Sequence, residues 1–76
     1  MFFPRLKHLR LEAGLRQEDV AYLLCCQREV YRRYETGVRD IPVDMLIILA
    51  KYYRVCVDYI LGLSDVRLPY STPSYH

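Results

Sequence analysis

The chain has 76 residues, 53% of them hydrophobic and 26% charged, which describes one globular domain and excludes a disordered polymer. At this length a core buries only about 60% of the unfolded surface, so stability is marginal without disulfides, a metal or a partner chain. The net charge is +2, and the excess is confined to residues 1–40, which hold eight Arg and Lys against six Asp and Glu, whereas residues 41–76 hold three of each.

The apolar spacing predicts five helices and no strand, an all-α domain over residues 1–63. Pro4 suits a first helical turn, where its missing N–H is not needed. The first helix is expected over Arg5–Ala13, with Leu6, Leu9 and Ala13 on one face and Gly14 as a left-handed cap. Arg10 falls on that same apolar face. Its expected partner is Glu35, at the end of the third helix. A second helix is expected over Gln17–Leu24, with Glu18 and Asp19 complementing the positive end of its dipole. Only Cys25 and Cys26 remain for the turn before a third helix, Gln27–Glu35. Two helices this short joined this tightly must cross steeply, as in a helix-turn-helix.

On a helical wheel Tyr31 and Tyr34 lie together, with Val30 on their flank. Arg28, Glu29, Arg32 and Arg33 take the opposite arc. One face can therefore pack while the other presents long donors, which is what a helix entering the major groove requires. An ordinary solvated outer face would look similar. Thr36-Gly37 ends this helix, and Arg39 in the following loop is placed to reach a phosphate. Pro42 opens the fourth helix, to Tyr53, with Val43, Leu46, Leu49, Ala50 and Tyr53 as its buried stripe. Met45, Ile48 and Tyr52 are expected off that stripe, exposed, and a modest pointer to a partner surface on the fourth and fifth helices. Cys56 precedes a fifth helix, Val57–Leu61, closed by Gly62. Beyond Leu63 the periodicity fades, and residues 64–76 are expected to form a flexible tail, including Tyr70 and Tyr75.

No apolar run approaches the ~20 residues of a membrane span. The start, Met-Phe-Phe-Pro-Arg-Leu-Lys, lacks a secretory leader pattern. A cytoplasmic location is expected, where thiols stay reduced. Cys25, Cys26 and Cys56 form no framework with metal-ligand spacing, so no zinc site is expected. A redox role for Cys25 or Cys26 would need a depressed thiol pKa. No nucleophile–base pair or phosphate loop is evident, and His8 and His76 stand far apart, so neither an enzyme nor a cofactor is expected.

Leu6-Leu9-Arg10, Gly14-Leu15-Arg16-Gln17-Glu18, Val20-Ala21, Arg33-Tyr34-Glu35-Thr36-Gly37, Arg39, Leu46, Leu49-Ala50 and Val55-Cys56-Val57-Asp58-Tyr59-Ile60-Leu61-Gly62 follow one pattern. Residues 5–62 resemble the Cro- and lambda-repressor-like, Xre-type helix-turn-helix family of bacterial and phage regulators. The resemblance implies a compact five-helix domain that binds double-stranded DNA in a sequence-specific way, commonly as a homodimer on a palindromic site. It implies a phosphate contact from Gln17, major-groove positions at Gln27, Arg28, Glu29, Arg32 and Arg33, a backbone contact from Arg39, and an internal ion pair between Arg10 and Glu35. Glu29 could accept from cytosine N4 or could hold Arg32 or Arg33 within the helix. Three positions depart from the pattern. Cys25 stands where Gly usually opens the turn, Gln27 where a small hydroxyl caps the third helix, and Cys56 where Ser is common. The alternative function is a protein-interaction module, such as an antitoxin or anti-repressor, using exposed Leu11, Ile48, Tyr52 and Tyr59. With no sensor domain evident in 76 residues, regulation is expected to come from association, abundance or a second protein.

Overall fold

A computed structural model describes residues 1–67. Within them the chain forms five helices, α1 (Pro4–Glu12), α2 (Gln17–Leu23), α3 (Arg28–Thr36), α4 (Val43–Tyr53) and α5 (Val57–Leu61), and no strand. The expected elements are all present, with ends moved by about one residue. Pro4 opens α1, as its fixed φ favours. Asp19 in α2 accepts the Arg16 backbone N–H at 2.8 Å, satisfying a donor that precedes the helix. Gln27 and Pro42 serve as N-caps of α3 and α4 rather than as their first residues, and neither makes a capping bond through its side chain.

The core is one cluster fed by every helix. Leu6 and Leu9 of α1, Val20 and Ala21 of α2, Tyr31 and Tyr34 of α3, Leu46, Leu49 and Ala50 of α4 and Ile60 of α5 are buried in it. The most extensive helix contact is between α2 and α3, and small Ala21 of α2 is buried. Leu15 folds back onto this core beyond the Gly14 cap.

Three expectations about burial are corrected. Val43 is 68% exposed, because it opens α4 while Ile41, in the preceding loop, occupies the core. Met45 is half-buried and packs on the core, since it precedes Leu49 by one i,i+4 step. Tyr59 is half-buried, covered by the Arg5 guanidinium 4.0 Å above its ring. Leu11, Ile48 and Tyr52 are exposed, together with Ile47.

Residues 63–67 lie against α1 and α5. One Arg5 nitrogen donates to the carbonyls of Tyr59 (2.9 Å) and Ser64 (2.7 Å), and another to the Asp65 carboxylate (2.7 Å). Arg67 reaches Glu12 at 2.7 Å. Residues 64–67 of the expected tail are thus described, and Tyr70, Tyr75 and His76 lie outside the described residues.

Among the described residues five positions have positive φ. Gly37 has φ +83°, and a Cβ there would sit 2.9 Å from the Phe2 Cβ, so this corner needs glycine for conformation and for space. Cys25 (φ 57°) and Arg54 (φ 58°) adopt the same region with side chains. Cys25 closes the α2–α3 turn where glycine would be unstrained, and left-handed backbone costs an L-residue roughly 1–2 kcal/mol. Cys25→Gly is therefore expected to stabilise the domain by about 1 kcal/mol, which raises Tm by about 4–8 °C in a domain of this size. Thermal unfolding followed by circular dichroism checks this, and an unchanged or lower Tm would contradict it. Gly37→Ala should lower Tm in the same assay.

Candidate nucleic-acid interface

α3 has two faces of opposite chemistry. Tyr31, Tyr34 and Glu35 are buried, while Arg28, Glu29, Arg32 and Arg33 are exposed. Gln27 and Arg39, at either end, are exposed as well. The inward face carries more than apolar packing. Glu35 is 4% exposed, and its carboxylate gathers three other side chains. Arg10 donates from Nε to Oε2 at 2.7 Å and from Nη2 to Oε1 at 3.1 Å. The Tyr31 hydroxyl donates to Oε2 at 2.8 Å, and Gln17 Nε2 donates to Oε1 at 3.1 Å. The remaining Arg10 nitrogen donates to the Leu15 carbonyl at 2.9 Å. The hub therefore ties α1, the loop after it, and the start of α2 to the last turn of α3.

Burial alone would push the Glu35 carboxyl up. The bonds from Arg10, Gln17 and Tyr31 outweigh it and hold the group below the ordinary carboxylate range. The hydrogen bond to Glu35 likewise raises the Arg10 guanidinium. Burial, then the bond to Glu35, push the Tyr31 hydroxyl far up, so it stays a donor at any physiological pH.

The outward face is partly self-paired. Glu29 accepts from Arg32, whose Nε lies 3.2 Å from both carboxylate oxygens and whose Nη2 also contacts Oε2. Arg33 Nε stands 3.9 Å from the same carboxylate. The hydrogen bond from Arg32 holds the Glu29 carboxyl below its usual range although the group is exposed to solvent. Glu29 is thus paired within its own helix. Arg28, Arg39 and Gln27 have no side-chain hydrogen bond or ion pair among the described residues. Arg39 is fixed through its backbone, its N–H donating to the Arg33 carbonyl at 3.1 Å. Gln17 uses one amide N–H on Glu35 and keeps the second. Sequence reasoning gave no role to Tyr22, which is 85% exposed on α2, because a lone exposed aromatic carries no periodic signal.

Two short helices joined by a tight turn, the second with one face locked and one face cationic, have a counterpart among known proteins. Residues 4–58 match the family model described as a helix-turn-helix domain. The chain belongs to this helix-turn-helix family. Curated relatives agree. One is the uncharacterized HTH-type transcriptional regulator YobD of Bacillus subtilis, 42% identical over 65 residues, which are 86% of this chain and 58% of the relative. Another is the HTH-type transcriptional regulator ImmR of the same organism, 37% identical over 82% of this chain and 49% of the relative. A third is the cryptic phage CTXphi transcriptional repressor RstR of Vibrio cholerae, 29% identical over 90% of this chain and 61% of the relative. The chain thus spans about half to three-fifths of the length of these relatives. No solved structure matches the chain significantly. Among the described residues no helix is long and apolar enough to cross a membrane, and no three His, Cys, Asp or Glu side chains gather as a metal site.

Two outcomes follow for the hub of this helix-turn-helix domain. Removing Arg10 or Glu35 alone strands a buried charge and should cost about 3–5 kcal/mol. Replacing both, as Arg10→Met with Glu35→Leu, should cost well under the sum of the singles. Urea denaturation of the four members of the cycle checks this, and additive losses would show that the pair is not coupled. Because the folded Glu35 pKa lies below its unfolded value of about 4.3, its contribution is complete above that value and fades as pH falls through the folded pKa. Stability should therefore fall on acidification below about pH 4, more steeply in the native chain than in Glu35→Gln.

Proposed function

We propose that this chain is a sequence-specific DNA-binding regulator of transcription, acting in the cytoplasm without catalysis or cofactor and reading the major groove with α3. The observation that carries the proposal is the two-faced α3. Tyr31, Tyr34 and Glu35 fix its orientation, and Arg28, Arg32 and Arg33 stand free of the core on the other side. The regulators and repressor to which the chain is similar point the same way.

In this reading Arg28, Arg32 and Arg33 are the candidates for guanine O6 and N7, each bidentate pair contributing about 1–3 kcal/mol of discrimination. Gln27, at the entry of α3, lies with them. Glu29 orients Arg32 and Arg33 by the pairing described above, so its part in base reading is through them. Gln17 and Arg39 flank the helix and would grip phosphates, which sets register without reading sequence. A single domain of this kind buries roughly 600–1,000 Å² on DNA. Useful affinity then favours a homodimer on half-sites about 34 Å apart, and hence a near-palindromic operator.

A second reading rests on one observation. Ile47, Ile48 and Tyr52 are 42%, 43% and 48% exposed on one side of α4, an apolar area suited to a protein partner, as in an antitoxin or anti-repressor.

Selection from random duplexes across a salt series, read by fluorescence anisotropy and sequencing, separates the two. The native chain should enrich a near-palindrome. Arg28→Ala combined with Arg32→Ala should weaken binding to that site by at least ten-fold while leaving the fold intact. Weak, steeply salt-dependent binding with nothing enriched, and no effect of the two substitutions, would leave only diffuse charge attraction and refute base reading.

A further inference from the structure

The outward side of α4 has a pattern that is the complement of its own reverse. Its exposed residues are Val43, Asp44, Ile47, Ile48, Lys51 and Tyr52. They are arranged symmetrically about a midpoint between Ile47 and Ile48. Apolar Val43 and Tyr52 lie outermost, the opposite charges Asp44 and Lys51 come next, and the two isoleucines stand at the centre. At about 100° per residue, Asp44 and Lys51 fall roughly 20° apart in the middle of the outward arc, with Ile47 and Ile48 on its two flanks. A rise of about 1.5 Å per residue sets the two charges roughly 10 Å apart along the helix. Asp44 accepts the Met45 backbone N–H at 3.0 Å, and neither charge has an ion-pair partner among the described residues. An acid in the first turn and a base in the last also suit the dipole of α4 itself, but the dipole does not account for the exposed isoleucines between them.

We infer that this face is the docking surface for a second copy of this chain, with α4 packed antiparallel on α4 about a two-fold axis level with the midpoint of Ile47 and Ile48. The inference deepens the homodimer reading proposed above by naming its surface. On that axis Asp44 of each copy meets Lys51 of the other, so one exposed pairing is made twice. Ile47 meets Ile47 and Ile48 meets Ile48, which closes the apolar centre against water. A parallel arrangement would set Asp44 against Asp44 and Lys51 against Lys51, so charge selects the antiparallel one. The self-complementarity is what identifies the occupant as this chain rather than a different protein. A single helix face falls short of the ~800 Å² per partner of a standard interface, so the dimer is weak in free solution. None of these residues belongs to α2 or α3, and the cationic face of α3 stays open.

Sedimentation equilibrium of the full chain tests this, at low salt, with reductant and without DNA, over concentrations up to about 1 mM, the range that a small interface requires. The native chain should show a monomer–dimer equilibrium. Asp44→Lys, Lys51→Asp and Ile48→Glu should each weaken association by about ten-fold, because two contacts are altered at once. The double variant Asp44→Lys with Lys51→Asp should associate as the native chain does, and an equimolar mixture of the two charge variants should form a heterodimer. All three positions are exposed, so circular dichroism should show unchanged helix in every variant. A native chain that stays monomeric across the series overturns the inference. So does a dimer that the single substitutions leave intact, or a double variant no better than the singles. Because no DNA is present, failure here leaves base reading by α3 to be judged by the duplex selection alone.

Discussion

One buried carboxylate organises this domain. Glu35 accepts two bonds from Arg10, one from Tyr31 and one from Gln17, so nearly all its lone pairs are used inside the protein. A charge at this depth is tolerable only because the guanidinium meets it in a two-point fork. The constraint is geometric as well as energetic. The last turn of α3 can sit in only one place relative to α1 and α2 if all four bonds are to form. The orientation of the cationic face follows from that, because Arg28, Arg32 and Arg33 project opposite the locked side.

The outward face obeys looser rules. Glu29, Arg32 and Arg33 form a solvent-exposed cluster, where ion pairs are individually weak and screened by salt. Such pairs exchange readily for other acceptors. The contrast between a rigid inner network and an exchangeable outer one lets a single nine-residue helix be both a structural member and a binding surface.

Much of this was legible in the sequence. Helical spacing located all five helices, because the stripes Leu6-Leu9 and Leu46-Leu49-Ala50 repeat at the helix period, and Gly14, Gly37 and Gly62 marked three ends. Arg10 and Glu35 were legible because a charge on an apolar stripe demands a partner. What escaped was context that periodicity does not encode. Val43 fits the stripe of α4 but precedes the packed part of the helix, with Ile41 in the loop taking the core position. Tyr59 is covered by Arg5, 54 positions away, which no local pattern reveals. The left-handed conformation of Arg54 carries no glycine to announce it. On α3, the outward residues were legible as a face, yet the choice of Glu29 for Arg32 over a more distant partner depends on rotamers.

The Arg5 bonds to Ser64 and Asp65 join positions 59 and 60 residues apart. The described chain is therefore close to a closed ring, its first helix seated beside residues 64 and 65. A polypeptide so arranged has no topological need to begin where it does. The same five helices could be threaded from a new start in an exposed loop such as Val38–Asp40, with the segment before α1 joined to the segment after α5, and keep the same core.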